Sequence, residues 1–275
     1  MSGFLDDMAR SSAARVARAA SHESAAALER RAREAAPVAP LRLSPAGFDV
    51  IAELKLRSPA AGPLGDDGHD WLGRVASYAR GGAAAVSVLT EPTRFDGSLE
   101  HLRQAAEVLA ALGVPAMRKD FLVDPYQVLE ARAAGAGGVL VILRMLSRER
   151  IVELLDAASE HGMFVLLEAF DEADLELARD LTASRADSRE PVLVGVNSRD
   201  LQTLQVVPER FAALAPLLPA GLLAVAESGV ASAVDAQRMQ RLGYRLALIG
   251  TALMTREDPS QLLREIFDAT RTVPV

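Results

Sequence analysis

Eight short apolar runs recur along the chain, and each ends abruptly in polar residues or glycine. The first lies within 48–59, where Val50-Ile51-Ala52 gives way to Glu53, Lys55, Arg57 and Ser58 before Pro59 and a loop over 59–70 that holds Gly62, Gly65 and Gly68. The others span 84–89, 114–117, 138–143, 164–167, 192–196, 222–226 and 245–249. They are continuous Val, Ile, Leu and Ala rather than alternating, the pattern of strands buried on both faces of a sheet. Helix-forming segments separate them: 71–80, 98–112, 125–134, 147–160, one capped by Asp171, 208–217, 231–242 and a closing helix over 259–270. Asp124 and Pro125 are an N-cap followed by a first-turn proline, and Gly113 is a natural helix stop.

Eight strand–helix units in strict alternation, about 25 to 30 residues apart, predict an α/β fold, a (β/α)8 TIM barrel. The alternative is an open doubly wound sheet, but no G-x-G-x-x-G follows the first run, where a dinucleotide-binding fold places its pyrophosphate loop. Residues from about 5 to 33 are mostly Ala, Arg, Glu and Leu, which predicts a helix or helix pair ended by Pro37 and Pro40. Residues 1–275 thus read as one barrel domain, with residues 1–44 a helical N-terminal extension.

Composition narrows the function. A chain of 275 residues with 50% hydrophobic content can bury one large core, and the net charge of −7 offers no basic footprint for nucleic acid. No apolar run reaches the length of a membrane span, and the acids in the first 36 residues are unlike a secretory signal, so a cytoplasmic protein is expected. Cysteine is absent, and His22, His69, His101 and His161 show no i, i+4 pairing, so no metal site is expected.

The strand ends hold the chemistry. In a barrel, catalytic groups sit at the C-terminal ends of strands, and a phosphate commonly sits in the loops after strands seven and eight. Ser228-Gly229 and Gly250-Thr251 occupy those two loops, where glycines let backbone N–H groups approach an anion. Glu53, Lys55, Lys119, Glu168 and Glu227 are expected to point toward one mouth from strands one, three, five and seven. They either form an ion-pair network that plugs the barrel or serve as acids and bases in one cavity. Buried lysines beside carboxylates suit dehydration and carbonyl chemistry, and a lysine could equally form a Schiff base.

Six motifs carry a resemblance. I-A-E-L-K-L-R-S-P over 51–59, V-L-T-E-P-T-R-F-D-G-S-L over 88–99, R-K-D-F over 118–121, D-P-Y-Q-V-L-E-A over 124–131, G-V-N-S-R-D-L over 195–201 and A-E-S-G-V over 226–230 resemble, in order, the indole-3-glycerol phosphate synthases of tryptophan biosynthesis. The similarity covers about residues 45–255, and the helical extension fits it too.

This resemblance implies a carbon–carbon lyase that needs no cofactor. It closes the ring of 1-(2-carboxyphenylamino)-1-deoxyribulose 5-phosphate, losing CO₂ and water to give indole-3-glycerol phosphate. It implies Lys119 as general acid on the substrate carbonyl, Lys55 as acid in the later dehydration, Glu168 as the carboxylate that stabilises the cation or takes a proton, and Glu53 as orienter of the lysines. Ser58, Asn197, Arg199 and Glu227 would line the polar part of the pocket, with Ser228, Gly229, Gly250 and Thr251 around the phosphate. Pro59, Phe95, Phe121, Leu140, Ile142, Leu201 and Leu204 would wall the aromatic ring. Its ligand would be a small sugar phosphate, with neither nucleic acid nor membrane as partner; the protein would be a monomer or weak homo-oligomer with possible partners from the tryptophan pathway. Leu56, Arg57, Ala60 and Ser198 depart from the usual motifs, and none removes an acid or base. Two other functions carried beside it are a Schiff-base aldolase and a phosphate-binding regulator.

Overall fold

A computed structural model of the chain describes residues 3–45, 47–58, 62–63, 70–183, 185, 190–200 and 203–271. Eight parallel strands close into a barrel: β1 (Asp49–Leu54), β2 (Ala85–Leu89), β3 (Ala116–Lys119), β4 (Gly138–Ile142), β5 (Phe164–Ala169), β6 (Val192–Asn197), β7 (Leu223–Glu227) and β8 (Leu246–Ile249). β1 pairs with β2 on one side and β8 on the other, so no strand edge is left open. This is the closed form of the two architectures the alternation allowed. A short antiparallel ribbon, Arg57–Ser58 with Gly62–Pro63, follows β1.

Helices α1 (Phe4–His22) and α2 (Ala25–Glu34) precede the barrel, and α3 (Trp71–Arg80), α4 (Leu99–Ala110), α5 (Pro125–Ala133), α6 (Arg148–Glu160), α7 (Glu172–Thr182), α8 (Glu209–Leu214), α9 (Ala233–Arg241) and α10 (Pro259–Arg271) surround it. Their starts are written locally: Asp70, Ser98, Asp124, Ser147, Asp171 and Ser232 each accept a backbone N–H of the first turn. The segment expected as one helix over 208–217 divides into α8 and a 3-10 turn, Ala215–Leu217, where Pro216 cannot continue the α-helical bonding.

Four strands run further than their apolar patterns suggested. β3, β5, β6 and β7 end at Lys119, Ala169, Asn197 and Glu227, so the charged residues lie in the strands and not in the loops after them. Backbone pairing is indifferent to side-chain polarity wherever the inner face opens on a cavity. Val50, Ala52, Val86, Val139, Val165, Val194, Ala226 and Ala247 point outward to the helices, while Ile51, Met117, Leu140, Leu166, Leu193, Val225 and Leu248 point inward as a separate cluster. Both faces are apolar, which is why the runs do not alternate.

The N-terminal pair is docked against the barrel wall. Leu28 and Ala32 pack on Tyr126 and Leu129 of α5, the Tyr126 hydroxyl donates to the Glu23 carbonyl at 2.9 Å, and Gln127 donates to the Ser12 hydroxyl at 2.8 Å.

Candidate active site

The four odd-numbered strands carry inward charges two residues beyond buried apolar ones: Glu53 after Ile51, Lys119 after Met117, Glu168 after Leu166 and Glu227 after Val225. Alternate strands of such a barrel contribute to one layer, so these four meet. Lys119 Nζ lies 3.2 Å from Glu227 Oε2, 3.5 Å from Glu53 Oε2 and 3.7 Å from Glu168 Oε2. Lys55, just past the end of β1, places its Nζ 2.9 Å from Glu53 Oε1.

Three carboxylates against two ammonium groups leave this buried layer short of positive charge, and the protonation equilibria adjust. Burial pushes the Glu227 carboxyl up to about 8, the charge of Glu168 adds to this, and Lys119 only partly opposes it. Burial would also raise Glu53, but Lys55 and Lys119 override it and hold that carboxyl at about 2. Lys119 is desolvated, which disfavours its charge, yet Glu227, Glu168 and Glu53 together hold it above the ordinary lysine range. An ammonium therefore stands between Glu53, whose ionised form is favoured, and Glu227, whose protonated form burial favours.

Asn197, the last residue of β6, organises the side of Glu168. Its Nδ2 donates to Glu168 Oε1 at 3.0 Å, while its Oδ1 accepts from the Ser228 hydroxyl and the Arg199 N–H, each at 2.9 Å. Two glycines make space for the charged layer. A Cβ at Gly195 would fall 1.9 Å from Glu227 Oε1, and one at Gly250 would fall 2.2 Å from Glu53 Oε1.

These groups open into a cavity of about 420 Å³ instead of plugging the barrel. Glu53, Lys55, Lys119, Glu168, Asn197 and Arg199 supply its polar wall. Ser228, Gly229, Gly250 and Thr251 line another part, with Ser228 and Gly229 both at positive φ (66° and 83°) and Thr251 opening the one-turn helix Thr251–Met254. Phe95, Phe121, Leu140, Ile142 and Leu204 supply apolar wall, the rings of Phe95 and Phe121 lying 6.2 Å apart at a tilt of 37°. Glu227 is fully buried behind Lys119, beneath the wall and not on it. Ser58 belongs to the ribbon strand at the exit of β1, and Pro59 and Leu201 lie outside the described residues.

Several site residues escaped sequence reasoning. Phe4 of α1 reaches the cavity and meets Phe121 edge-on at 5.8 Å; a lone aromatic in an Ala-, Arg- and Glu-rich segment was the available signal. Val206, Leu248 and Leu89 add apolar wall. Arg210 donates to the backbone carbonyls of Asn197 (2.6 Å) and Arg199 (3.3 Å), a contact with no local signature. Asp120, inside the R-K-D-F motif, is a buried ion-pair hub that takes both terminal guanidinium nitrogens of Arg15 at 2.7 and 2.8 Å and Arg118 at 3.0 Å.

Comparison with known proteins places this geometry in context. The profile of the family described as indole-3-glycerol phosphate synthase matches residues 5–266. An indole-3-glycerol phosphate synthase of a Nocardioides species is 46% identical over 221 residues, 80% of this chain and 80% of that protein. One of a Parafrankia species is 44% identical over 220 residues, 80% of this chain and 78% of that protein. One of Koribacter versatilis is 38% identical over 271 residues, 97% of this chain and 98% of that protein. Among solved structures, 3-hexulose-6-phosphate synthase from Salmonella typhimurium superimposes with a TM-score of 0.61 at 13% identity, covering 81% of this chain and 98% of its own. Orotidine 5'-phosphate decarboxylase from Pyrococcus horikoshii gives 0.55 at 18% identity, covering 81% and 100%. These two share the fold.

Proposed function

From the premise that the chain belongs to the indole-3-glycerol phosphate synthase family, we propose that its charged barrel layer closes the indole ring by lysine and glutamate acid–base catalysis. It is a carboxy-lyase of tryptophan biosynthesis. The substrate is 1-(2-carboxyphenylamino)-1-deoxyribulose 5-phosphate. Ser228, Gly229, Gly250 and Thr251 receive its phosphate, and the apolar wall from Phe95 to Leu140 receives its ring.

Lys119 protonates the carbonyl oxygen as the ring carbon attacks, and the new carbon–carbon bond is followed by loss of CO₂. Lys55 protonates the departing hydroxyl, which leaves as water, and Glu168 stabilises the cation and takes the proton released on aromatisation. Glu53, in contact with both ammonium groups, orients them. The observation that carries this reading is the Lys119 ammonium, held 3.2 to 3.7 Å from three carboxylates at the floor of an open cavity and beside a Glu168 tied to Asn197. An ammonium so held stays protonated in the resting site and is a poor nucleophile, which weighs against a Schiff-base route. A binding-only regulator would need no such matched acid and base.

The enzyme is read as cytoplasmic; among the described residues no helix is long and apolar enough to cross a membrane. The test is direct. Purified protein given the ribulose phosphate, with nothing else added, should develop indole absorbance and fluorescence, and Lys119→Ala should cut kcat by about 10²-fold or more. Near-normal turnover of that variant would refute the role of Lys119; tight substrate binding by the unmodified protein without turnover would favour the regulator.

A further inference from the structure

Two residues beyond each of Lys119 and Glu168 stands a phenylalanine, and the two are held alike. Phe121 and Phe170 are both buried in the apolar cluster of the barrel interior. The Phe121 N–H donates to Asp120 Oδ1 at 2.8 Å, and the Phe170 N–H donates to Asp174 Oδ2 at 2.8 Å. Each carboxylate is gripped by arginine. Arg15 and Arg118 hold Asp120, while Arg144 holds Asp174 through Nε at 2.9 Å and a terminal nitrogen at 2.7 Å.

Arg144 does more than neutralise a charge. It lies in the 3-10 turn Leu143–Met145 directly after Ile142, a residue of the cavity wall, and its guanidinium sits 4.5 Å over the Phe170 ring. Charge, fork and flat face all converge on the segment that leaves β5, joining the exits of β4 and β5. Among the described residues Glu168 itself has one short hydrogen bond, from Asn197 at 3.0 Å, with Lys119 farther away at 3.7 Å. Its placement therefore depends on where the end of β5 is held.

We propose that Arg144, acting through Asp174 and Phe170, is a positioning residue for Glu168, the counterpart of the arginine-held Asp120 beside Lys119. The proposal rests on the reading of Glu168 as the catalytic carboxylate. Arg144 lies outside the cavity wall and need not touch substrate, so its effect falls on turnover and not on binding. If Arg144 merely pins the start of α7, through its pairs with the N-cap Asp171 and the first-turn Asp174, its loss lowers stability alone.

The experiment compares Arg144→Met, Arg144→Lys, Glu168→Gln and the Arg144→Met/Glu168→Gln double variant in steady-state turnover, with thermal unfolding alongside. Arg144→Met should lower kcat roughly tenfold to a hundredfold, the scale of a misplacement of about 1 Å, with KM little changed. Arg144→Lys keeps the charge but loses the two-pronged fork and the flat face, so it should recover part of that loss; it also serves if the Met variant does not fold. In the Glu168→Gln background the Arg144→Met change should cost less than about twofold more, because nothing remains to be positioned. Unchanged kcat with a lowered melting temperature, or the same fold-loss in both backgrounds, overturns the proposal. Normal turnover of Glu168→Gln overturns the premise instead, and that single variant tells the two failures apart.

Discussion

Gly195→Ala adds one methyl group at the closest approach in the charged layer. Gly195 lies within β6 and has no positive φ, so alanine suits its backbone and the cost is steric. The new Cβ would stand 1.9 Å from Glu227 Oε1, 3.0 Å from its Cδ and 3.1 Å from Leu166 Cδ1. Glu227 is fully buried, and to reach the 3.4 Å at which ordinary contact begins its carboxyl must withdraw by about 1.5 Å. That breaks the 3.2 Å contact with Lys119 and removes one of the three groups that hold its ammonium. Misplacement on this scale should lower kcat about 10²-fold. Overpacking costs about 1–3 kcal/mol, offset by roughly 0.4–1 kcal/mol from the stiffer unfolded chain, so a melting temperature lower by a few degrees is expected. The assay follows indole fluorescence in steady state for Gly195→Ala, Glu227→Ala and the double variant. With the carboxylate gone the methyl group has room, so the double variant should match Glu227→Ala within about twofold. Turnover of Gly195→Ala within threefold of the unmodified enzyme, or an equal loss in both backgrounds, would refute the steric reasoning.

Gly229, at φ 83°, would carry a Cβ 2.8 Å from Val206 Cγ1; Gly229→Ala should raise KM by roughly tenfold, the scale of one lost charge-assisted hydrogen bond, and weaken inhibition by inorganic phosphate, whereas unchanged phosphate inhibition would move the anion site elsewhere. The Glu227 carboxyl, raised from an ordinary 4.5 to about 8, binds its proton more tightly in the folded protein. Its stabilising contribution is therefore complete below about pH 4.5 and is lost as pH rises through about 8; Glu227→Gln should flatten that decline in urea midpoints measured across the range, and identical slopes would remove Glu227 as the cause. Arg15→Met leaves the buried Asp120 with Arg118 as its remaining ion-pair partner among the described residues. Because Arg15 is itself partly exposed, the loss should be about 2 kcal/mol, less than for a fully buried pair, read by chemical denaturation; an unchanged midpoint would show that the pair contributes nothing.

Much of the molecule is written locally. Eight apolar runs bounded by glycine, proline and capping residues specify eight strands and their helices, since each depends on hydrogen bonds and side-chain periods within some ten residues. The polar residues closing strands one, three, five and seven, and the single glycine in each loop after strands seven and eight, marked the candidate site before any contact was visible. Local pattern misjudged by a residue or two where the strands stop: the apolar runs end at Met117 and Ala226, while the strands continue to Lys119 and Glu227, because an inward charge interrupts an apolar run without interrupting the ladder.

Closure decided the rest. Whether Glu53, Lys119, Glu168 and Glu227 stand at one height depends on the stagger between strands, a property of the whole barrel and of no single segment. Phe4 and Arg15 reach Phe121 and Asp120 across more than a hundred residues, and Arg144 reaches Asp174 across thirty, by packing that no local period encodes. The sequence by itself determined which groups the protein carries and on which face of each strand they stand. Tertiary structure decided which of them share a low-dielectric space, and with that which proton each one holds.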